Sequence, residues 1–289
     1  MKYVIGGHRI EINYDADLLK RILPSFAPFE VEDEKDEAFL FRITVDNALK
    51  RIPAEKCRLI RDVDTGNGMT RVDKLSNGGY QFLVRDIYGH ECALLITSPK
   101  FEDCRVAIQG GLGTQRFALN NALMLTYAFS AAYYDTLLIH ASVVRHAGKA
   151  YAFTAKSGTG KSTQVANWMR YIEGCDIMND DNPIIRMVDG KPILYGSPWS
   201  GKTPCYRNVS ADLGAVVLIE RGQRNYVDFP KPIMAFSTIL TSCSAMKWDE
   251  ELYQTVCQTC IKFVESTKVA TLHCLPDRES AEVCKNALA

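Results

Sequence analysis

The sequence has no excess of either charge: 34 Lys and Arg residues face 34 Asp and Glu, and the formal net charge is zero. Non-specific binding to nucleic acid needs a basic surface that displaces counterions from phosphates, so this balance argues against it. Long apolar runs are also missing. A membrane helix takes about 20 mostly apolar residues, whereas the longest uncharged stretch, 117–134, is interrupted by Asn120, Asn121, Thr126 and Ser130 and reads as a buried core helix. The N-terminal segment meets Lys2 and Arg9 before any apolar run reaches signal-peptide length. The expectation is a cytoplasmic protein with no membrane and no nucleic-acid partner, its 10 cysteines carried as reduced thiols. Internal repeats and low-complexity segments are absent, and a hydrophobic content of 47% excludes disorder.

Two features that could hold a metal read more simply as structure. Cys257 and Cys260 form a C-x-x-C, but they lie in a helical stretch where Leu252, Val256, Cys260 and Phe263 share one face. No second pair stands at zinc spacing, so these are core cysteines. The acidic run from Glu30 to Glu37 reads as a solvated turn.

A chain of 289 residues suggests two domains. The first third is β-rich, with a hairpin over Tyr3–Tyr14 about Gly6-Gly7 and a short helix over Ala16–Leu23 stopped by Pro24. Short alternating runs between Phe39 and Thr97 are punctuated by Gly66-Asn67-Gly68, Asn77-Gly78-Gly79 and Gly89, the pattern of an antiparallel meander. Gly110-Gly111-Leu112-Gly113 then breaks the chain, placing the expected boundary between a β-rich domain of residues 1–112 and a second domain of residues 113–289. In the second part, one strand over Leu137–Arg145, a turn at Ala147-Gly148 and a strand over Lys149–Thr154 form a hairpin. The apolar run Gly214–Glu220 reads as a central strand. Two helical stretches, a strand over Val269–Cys274 and a helix from Asp277 follow. The fold class is α/β of the α+β kind, with a mixed sheet in the second domain.

The strongest motif is Ala155-Lys156-Ser157-Gly158-Thr159-Gly160-Lys161-Ser162. It fits the phosphate-loop pattern G-x-x-x-x-G-K-[ST] except at the first position, where Ala155 is tolerated if its φ stays negative. An apolar strand precedes the loop, and Val165, Trp168, Met169 and Ile172 give the following helix an apolar stripe. Such a loop turns successive backbone N–H groups inward and adds the positive end of a helix, so the main chain holds a polyphosphate. Ser157, Gly158, Thr159, Gly160, Lys161, Ser162 and Thr163 are the candidate nucleotide contacts. Lys161 would reach the β- and γ-phosphates, and the hydroxyl of Ser162 would ligate Mg²⁺.

Asp180-Asp181, at the end of the first strand after that helix, supplies two adjacent carboxylates that can divide metal binding and proton removal between them. Together with His140, the hairpin over 141–154 and the loop, this pair resembles the catalytic domain of HPr kinase/phosphorylase. More broadly it resembles the P-loop kinases related to phosphoenolpyruvate carboxykinase. The resemblance is specific over about residues 137–190. It implies ATP and Mg²⁺ as cofactors, Asp180 as general base, Ser162 and Asp181 at the metal, Lys161 on phosphate and His140 beside them. It also implies a homo-oligomer. The R-G-L-G-I-type segment of authentic HPr kinases is replaced here by Gly196-Ser197-Pro198-Trp199-Ser200-Gly201-Lys202. That points to HPr-kinase-like proteins, some of which phosphorylate peptides. Pro198-Trp199 reads as packing on the sheet, with Lys202 and Arg207 as cleft candidates. Arg207 is the better of the two for charge on a transferred phosphoryl group. The expected activity is transfer of the γ-phosphoryl group of Mg-ATP to a Ser or Thr hydroxyl of a protein or peptide. A nucleotide sensor without transfer and a small-molecule kinase are the alternatives.

Overall fold

Gly6-Gly7 and the alternating apolar residues on either side dictate the first element pair, a hairpin of β1 (Lys2–Ile5) and β2 (His8–Asn13). The computed structural model describes residues 1–32, 38–65, 68–201 and 203–289. Most of the acidic turn, the first two residues of the Gly66-Asn67-Gly68 turn and Lys202 therefore lie outside the described residues. The chain divides into two compact units, 1–131 and 132–289.

In the first unit, helix α1 (Ala16–Ile22) is capped by the Asp15 side chain, which accepts from Leu18 N at 2.8 Å. The strands that follow are β3 (Glu30–Val31), β4 (Phe41–Val45), β5 (Cys57–Asp64), β6 (Met69–Leu75), β7 (Tyr80–Arg85), β8 (Glu91–Thr97) and β9 (Asp103–Ile108). Among the described residues they form one sheet in the order β3-β1-β2-β4-β9-β8-β7-β6-β5. β5 to β9 are the expected antiparallel meander, but β4 joins it by parallel pairing to both β2 and β9. The unit is thus a mixed sheet. Helix α2 (Leu112–Ala132) buries Ala118, Leu119, Ala122, Leu123 and Tyr127 completely, and the Tyr127 hydroxyl donates to Ile5 O at 2.9 Å. The buried-helix reading of 117–134 agrees with this. The helix goes with the first unit rather than opening the second, because its apolar residues pack inside that unit. No helix among the described residues is long and apolar enough to cross a membrane.

The second unit carries the remaining strands: β10 (Thr136–Leu138), β11 (Ala141–His146), β12 (Lys149–Thr154), β13 (Asp176–Asp181), β14 (Ile184–Val188), β15 (Lys191–Tyr195), β16 (Ser210–Arg221), β17 (Tyr226–Asp228) and β18 (Lys268–Cys274). Its helices are α3 (Lys161–Tyr171), α4 (Pro232–Ser242), α5 (Glu250–Ser266) and α6 (Arg278–Leu288). The main path of the sheet runs β10-β14-β15-β16-β12-β11-β13, with β18 parallel to β16 and β17 beside β18. β11 and β12 form the expected hairpin, turned by Ala147 and Gly148 at φ 49° and 79°. Two central positive φ values match the right-handed twist of the flanking strands. β16, containing the apolar run from Gly214, lies parallel to both β12 and β18, as a strand buried on both faces requires.

One expectation fails instructively. Leu137–Arg145 is not a single strand but β10 and β11, broken at Ile139 and His140. β10 pairs with β14, and β11 pairs with β12 and β13, at opposite ends of the sheet path. The step from β13 to β14 makes the same jump within two residues. Links this short can join the two ends only if the sheet curls until they meet. Ile139 N donates to Pro183 O at 3.1 Å, so the two breaks are hydrogen-bonded to each other. His140 sits at one break and Asp181 beside the other.

Trp168 locks α3 onto this sheet. It is fully buried, with its ring 5.0 Å from Tyr151 and 5.6 Å from Phe153, both on β12. Val165 and Ile172 complete the buried stripe, whereas Met169 falls on the flank and stays 42% exposed, contrary to its expected place in that stripe. Truncating such a buried aromatic costs about 3–5 kcal/mol. The strand and helix that bracket the loop are therefore held by one packed cluster. All ten cysteines carry free thiols, with Cys260 buried in the core as expected and Cys257 half-buried beside it.

Candidate active site

The loop between β12 and α3 has the backbone that phosphate binding requires. Gly158 and Gly160 take φ values of 75° and 138°, which side chains oppose, and a Cβ at either would meet nothing within 4 Å. The glycines thus serve conformation and leave open space above the loop. Ala155 is not among the non-glycine residues with positive φ, which meets the condition set for it. Gly160 is the N-cap of α3 without a side-chain hydrogen bond, so the first-turn N–H groups keep their capacity for an anion. The Arg221 guanidinium, at the end of β16, donates to Gly158 O at 2.8 Å and ties the loop to the central strand.

Register brings the carboxylates to the loop. In the antiparallel pairing of β11 with β13, Ala141 faces Asp181 and Ser142 faces Asp180. Asp180 is 4% exposed, and its Oδ1 accepts from Ser142 Oγ at 2.6 Å and from Ser162 Oγ at 3.2 Å. Its Oδ2 faces Thr203 N at 3.4 Å. Asp180 is thus buried, engaged and pressed against the loop serine. Both carboxylates belong to β13.

Asp181 has a different setting. Its side chain is 32% exposed, its Oδ1 lies 3.0 Å from His140 Nδ1, and its Oδ2 accepts from Asn182 Nδ2 at 2.7 Å. Its φ of 144° belongs to a region that residues with a Cβ rarely enter. Such strain persists only where the surroundings enforce it. Ser200 forms an isolated bridge with Asp181, Gly201 N donates to Asp180 O, and a Cβ on Gly201 would lie 3.2 Å from Asp181 Cβ. The 200–201 segment therefore seats directly on the carboxylate pair.

The His140 side chain is 47% exposed, so it is not part of the core. Its backbone is fixed by N–H donation to Ser242 O at 2.7 Å and by Thr154 Oγ1 donating to its carbonyl at 3.1 Å. Its Nε2 lies 2.8 Å from Lys161 Nζ. An ammonium only donates, so Nε2 accepts and Nδ1 carries the proton that faces Asp181. Burial lowers the pKa of Lys161 from its usual value, against the opposing pull of Asp181 and Asp180.

His140, Lys161, Ser162, Asp180 and Asp181 thus converge around a cavity of about 290 Å³, into which Ser157, Gly158, Gly160 and Thr163 also face. Arg207 does not join them. Its guanidinium pairs with Asp176 at 2.7 Å, where Arg145 also binds, at the far end of β13. Asp176 lies five positions before Asp181 on the strand, about 16 Å away. Trp199 is 2% exposed and packs, as expected for the Pro198-Trp199 segment.

Three contributors went unread in the sequence. Ser142 had a signal, since it lies two residues from His140 in the stretch that the sequence presents as one strand. Asn179, fully buried, donates to Trp199 O at 3.0 Å and accepts from Asn182 N at 3.0 Å, shaping the bend after the carboxylates. Arg221 carried no local signal.

Among the described residues, no group of three or more His, Cys, Asp or Glu side chains is arranged to hold a metal unaided. Magnesium is commonly held by one or two carboxylates plus the phosphates of the substrate, and Ser162 with Asp180 fits that pattern. No family model and no curated protein matches the chain.

Proposed function

We propose that the second unit is an Mg-ATP-dependent phosphotransferase that acts on a hydroxyl, of the kind that HPr kinase/phosphorylase exemplifies. The observation that carries this reading is the division of the two carboxylates. One is buried against the loop serine, and the other is half-exposed and paired with a histidine. A phosphate-binding protein that only senses nucleotide has no use for the second.

The geometry favours a division of roles opposite to the one the resemblance implies. Asp180 is buried, and its Oδ1 accepts from the hydroxyls of Ser142 and Ser162, which suits the metal side. Asp181 is reachable from the cavity and is oriented by the Nδ1–H of His140, which suits proton removal from an acceptor hydroxyl. Ser162 and Asp180 would hold magnesium, which would supply charge neutralisation at the transferred phosphoryl group. The loop N–H groups and Lys161 hold the phosphates, and Lys161 leaves the His140 ring for them. The acceptor oxygen bonds to the γ-phosphorus, the bond to the bridging oxygen breaks, and the hydroxyl proton passes to Asp181. Positioning and charge stabilisation are the main sources of rate in such a reaction.

The test combines binding and transfer. Mg-ATP at 100 times its Kd should stabilise the fold by about 2.7 kcal/mol, and Lys161→Ala should remove most of that. Label from γ-labelled ATP should then reach a serine- or threonine-containing peptide or a small hydroxyl acceptor. No stabilisation by any nucleotide or polyphosphate would refute the reading. Binding without transfer to any acceptor class would favour a sensor.

A further inference from the structure

We propose that the exposed apolar end of α4 is the docking surface for the acceptor. The acceptor it fits is a polypeptide with an apolar side chain next to a carboxylate, roughly four or five residues from its target hydroxyl. This rests on the phosphotransferase reading and selects a peptide over a small molecule.

The patch comes first. Phe229, Ile233 and Met234 leave 58%, 71% and 59% of their area exposed, all in one short segment. Single apolar residues on a surface need no explanation, but three large ones grouped in this way mark a contact site. They do not serve the core, since α4 buries Ala235, Thr238, Ile239 and Ser242 on its other side. Pro230 and Pro232 fix the backbone among them, and Pro232 opens the helix. A surface held in place spares a partner the cost of ordering it.

The patch runs into the site along one helix face. Ile233, Met234, Ser237 and Thr241 follow one another at helical spacing and all are exposed, so they form one strip. Thr241 and Ser242 line a cleft of about 970 Å³ that reaches His140, and Ser242 O accepts the His140 N–H at 2.7 Å. His140 orients Asp181, so an acceptor hydroxyl must approach from a side that has this histidine in reach. Access to His140, and not the make-up of the walls, is what marks this side. From Ile233 to Ser242 the helix rises about 14 Å. An extended chain covers that with roughly four or five residues. A small molecule seated beside His140 would touch none of the patch.

Charge narrows the partner further. Lys231 is the N-cap of α4, without a side-chain cap bond, and the first turn holds no acidic residue. The positive end of the helix and an ammonium therefore stand together beside the apolar side chains. The carboxylates closest in sequence are turned to His273: Asp228 lies 3.3 Å from its Nε2, and Glu220 lies 3.5 Å from its Nδ1. A carboxylate next to the partner's apolar residue meets complementary charge here.

The experiment is label transfer from γ-labelled Mg-ATP by the full chain to synthetic peptides with a single serine. One series places Leu-Glu about four or five residues before or after the serine. The reference peptide has Gly-Gly in its place, and glycerol serves as a small hydroxyl acceptor. Wild type should favour the best-spaced Leu-Glu peptide roughly tenfold in kcat/KM, the scale of one apolar contact. The gain should lie in KM, as binding remote from the reacting atoms gives. Ile233→Ser combined with Met234→Ser should erase the preference. Turnover of the Gly-Gly peptide, Mg-ATP affinity and melting temperature should stay unchanged in that variant. Lys231→Glu should instead favour a Leu-Lys peptide. Equal kcat/KM for all peptides, or a preference that survives in the serine variant, overturns the inference. Transfer to glycerol but to no peptide overturns it and spares the phosphotransferase reading. Mg-ATP binding without any transfer refutes both. If the serine variant sediments as a smaller species than wild type, a second copy of this chain covers the patch, and the inference falls.

Discussion

The Nε2 of His140 lies 2.8 Å from the Nζ of Lys161, so the lysine expected to grip phosphate rests on the ring expected to orient the base. Entry of a phosphate gives Lys161 a better partner and leaves the Nδ1–H of His140 on Asp181. His140→Ala should therefore leave Mg-ATP affinity nearly intact and lower turnover about 10- to 100-fold, as loss of an orienting partner does. His140→Asn, whose amide can donate towards Asp181, should recover part of the loss. Equal damage in the two variants, or loss of ATP binding, would contradict the positioning role.

The two carboxylates should fail differently. Asp180→Asn should weaken ATP affinity and raise the magnesium requirement together, because it removes the charge facing Ser162. Asp181→Asn should bind Mg-ATP nearly as wild type does and lose about 10²- to 10⁴-fold in turnover. Parallel calorimetry and label transfer would check this, and the opposite pattern would restore the assignment implied by the family resemblance.

Backbone strain at Asp181 predicts a trade between stability and activity. Glycine adopts a φ of 144° without steric cost. Relief of about 1–3 kcal/mol of strain should outweigh glycine's extra unfolded-state entropy of about 1 kcal/mol or less. Asp181→Gly should thus melt higher than Asp181→Asn, while both are inactive. A lower melting temperature for the glycine variant would show that the conformation is not strained.

Much of this site was readable because it is local. The phosphate loop, the hairpin entering it and the Asp180-Asp181 pair each occupy a few consecutive residues whose chemistry does not depend on what lies beside them. The break at Ile139 and His140 was hidden because Leu137–Arg145 alternates like one strand and holds no Gly or Pro to mark it. Its cause is tertiary, since Ile139 bonds to Pro183 and His140 to Ser242. Arg207 misled for a related reason. A cation close in sequence to the 196–202 segment is a poor guide when a carboxylate such as Asp176 can claim it, and that pairing appears only in the register of the sheet. Burial pushes the Asp176 carboxyl up, but hydrogen bonds from Arg145 and Arg207 outweigh it and hold the pKa below its usual value.

Lys161 gives a pH-dependent prediction. Its pKa in the fold is lowered by burial, so the folded state binds this proton less tightly than the unfolded chain. Between the lowered value and the unfolded value of about 10.4, stability gains from rising pH. Below that window the penalty on the ammonium is fully present. Lys161→Met keeps the stem and removes the charge. It should melt above wild type at neutral pH without ligand, with the gap closing as pH approaches 10. A gap that widens with pH would have the wrong sign for a desolvated lysine.

The curl that joins β10 to β11 and β13 to β14 also constrains how the chain reaches this state. β12 acquires its parallel neighbour β16 only after α3, β13, β14 and β15 have been made, and β16 waits for β18 beyond two further helices. Contacts so distant in sequence are slow to form, since loop closure precedes the reward. His140, Lys161 and Asp181 come from three segments that meet only when both ends of the sheet have closed on each other. A nascent or partly unfolded chain can carry the phosphate loop in sequence and still lack the groups that would let it react. The convergence of these three side chains is in this sense a late product of folding.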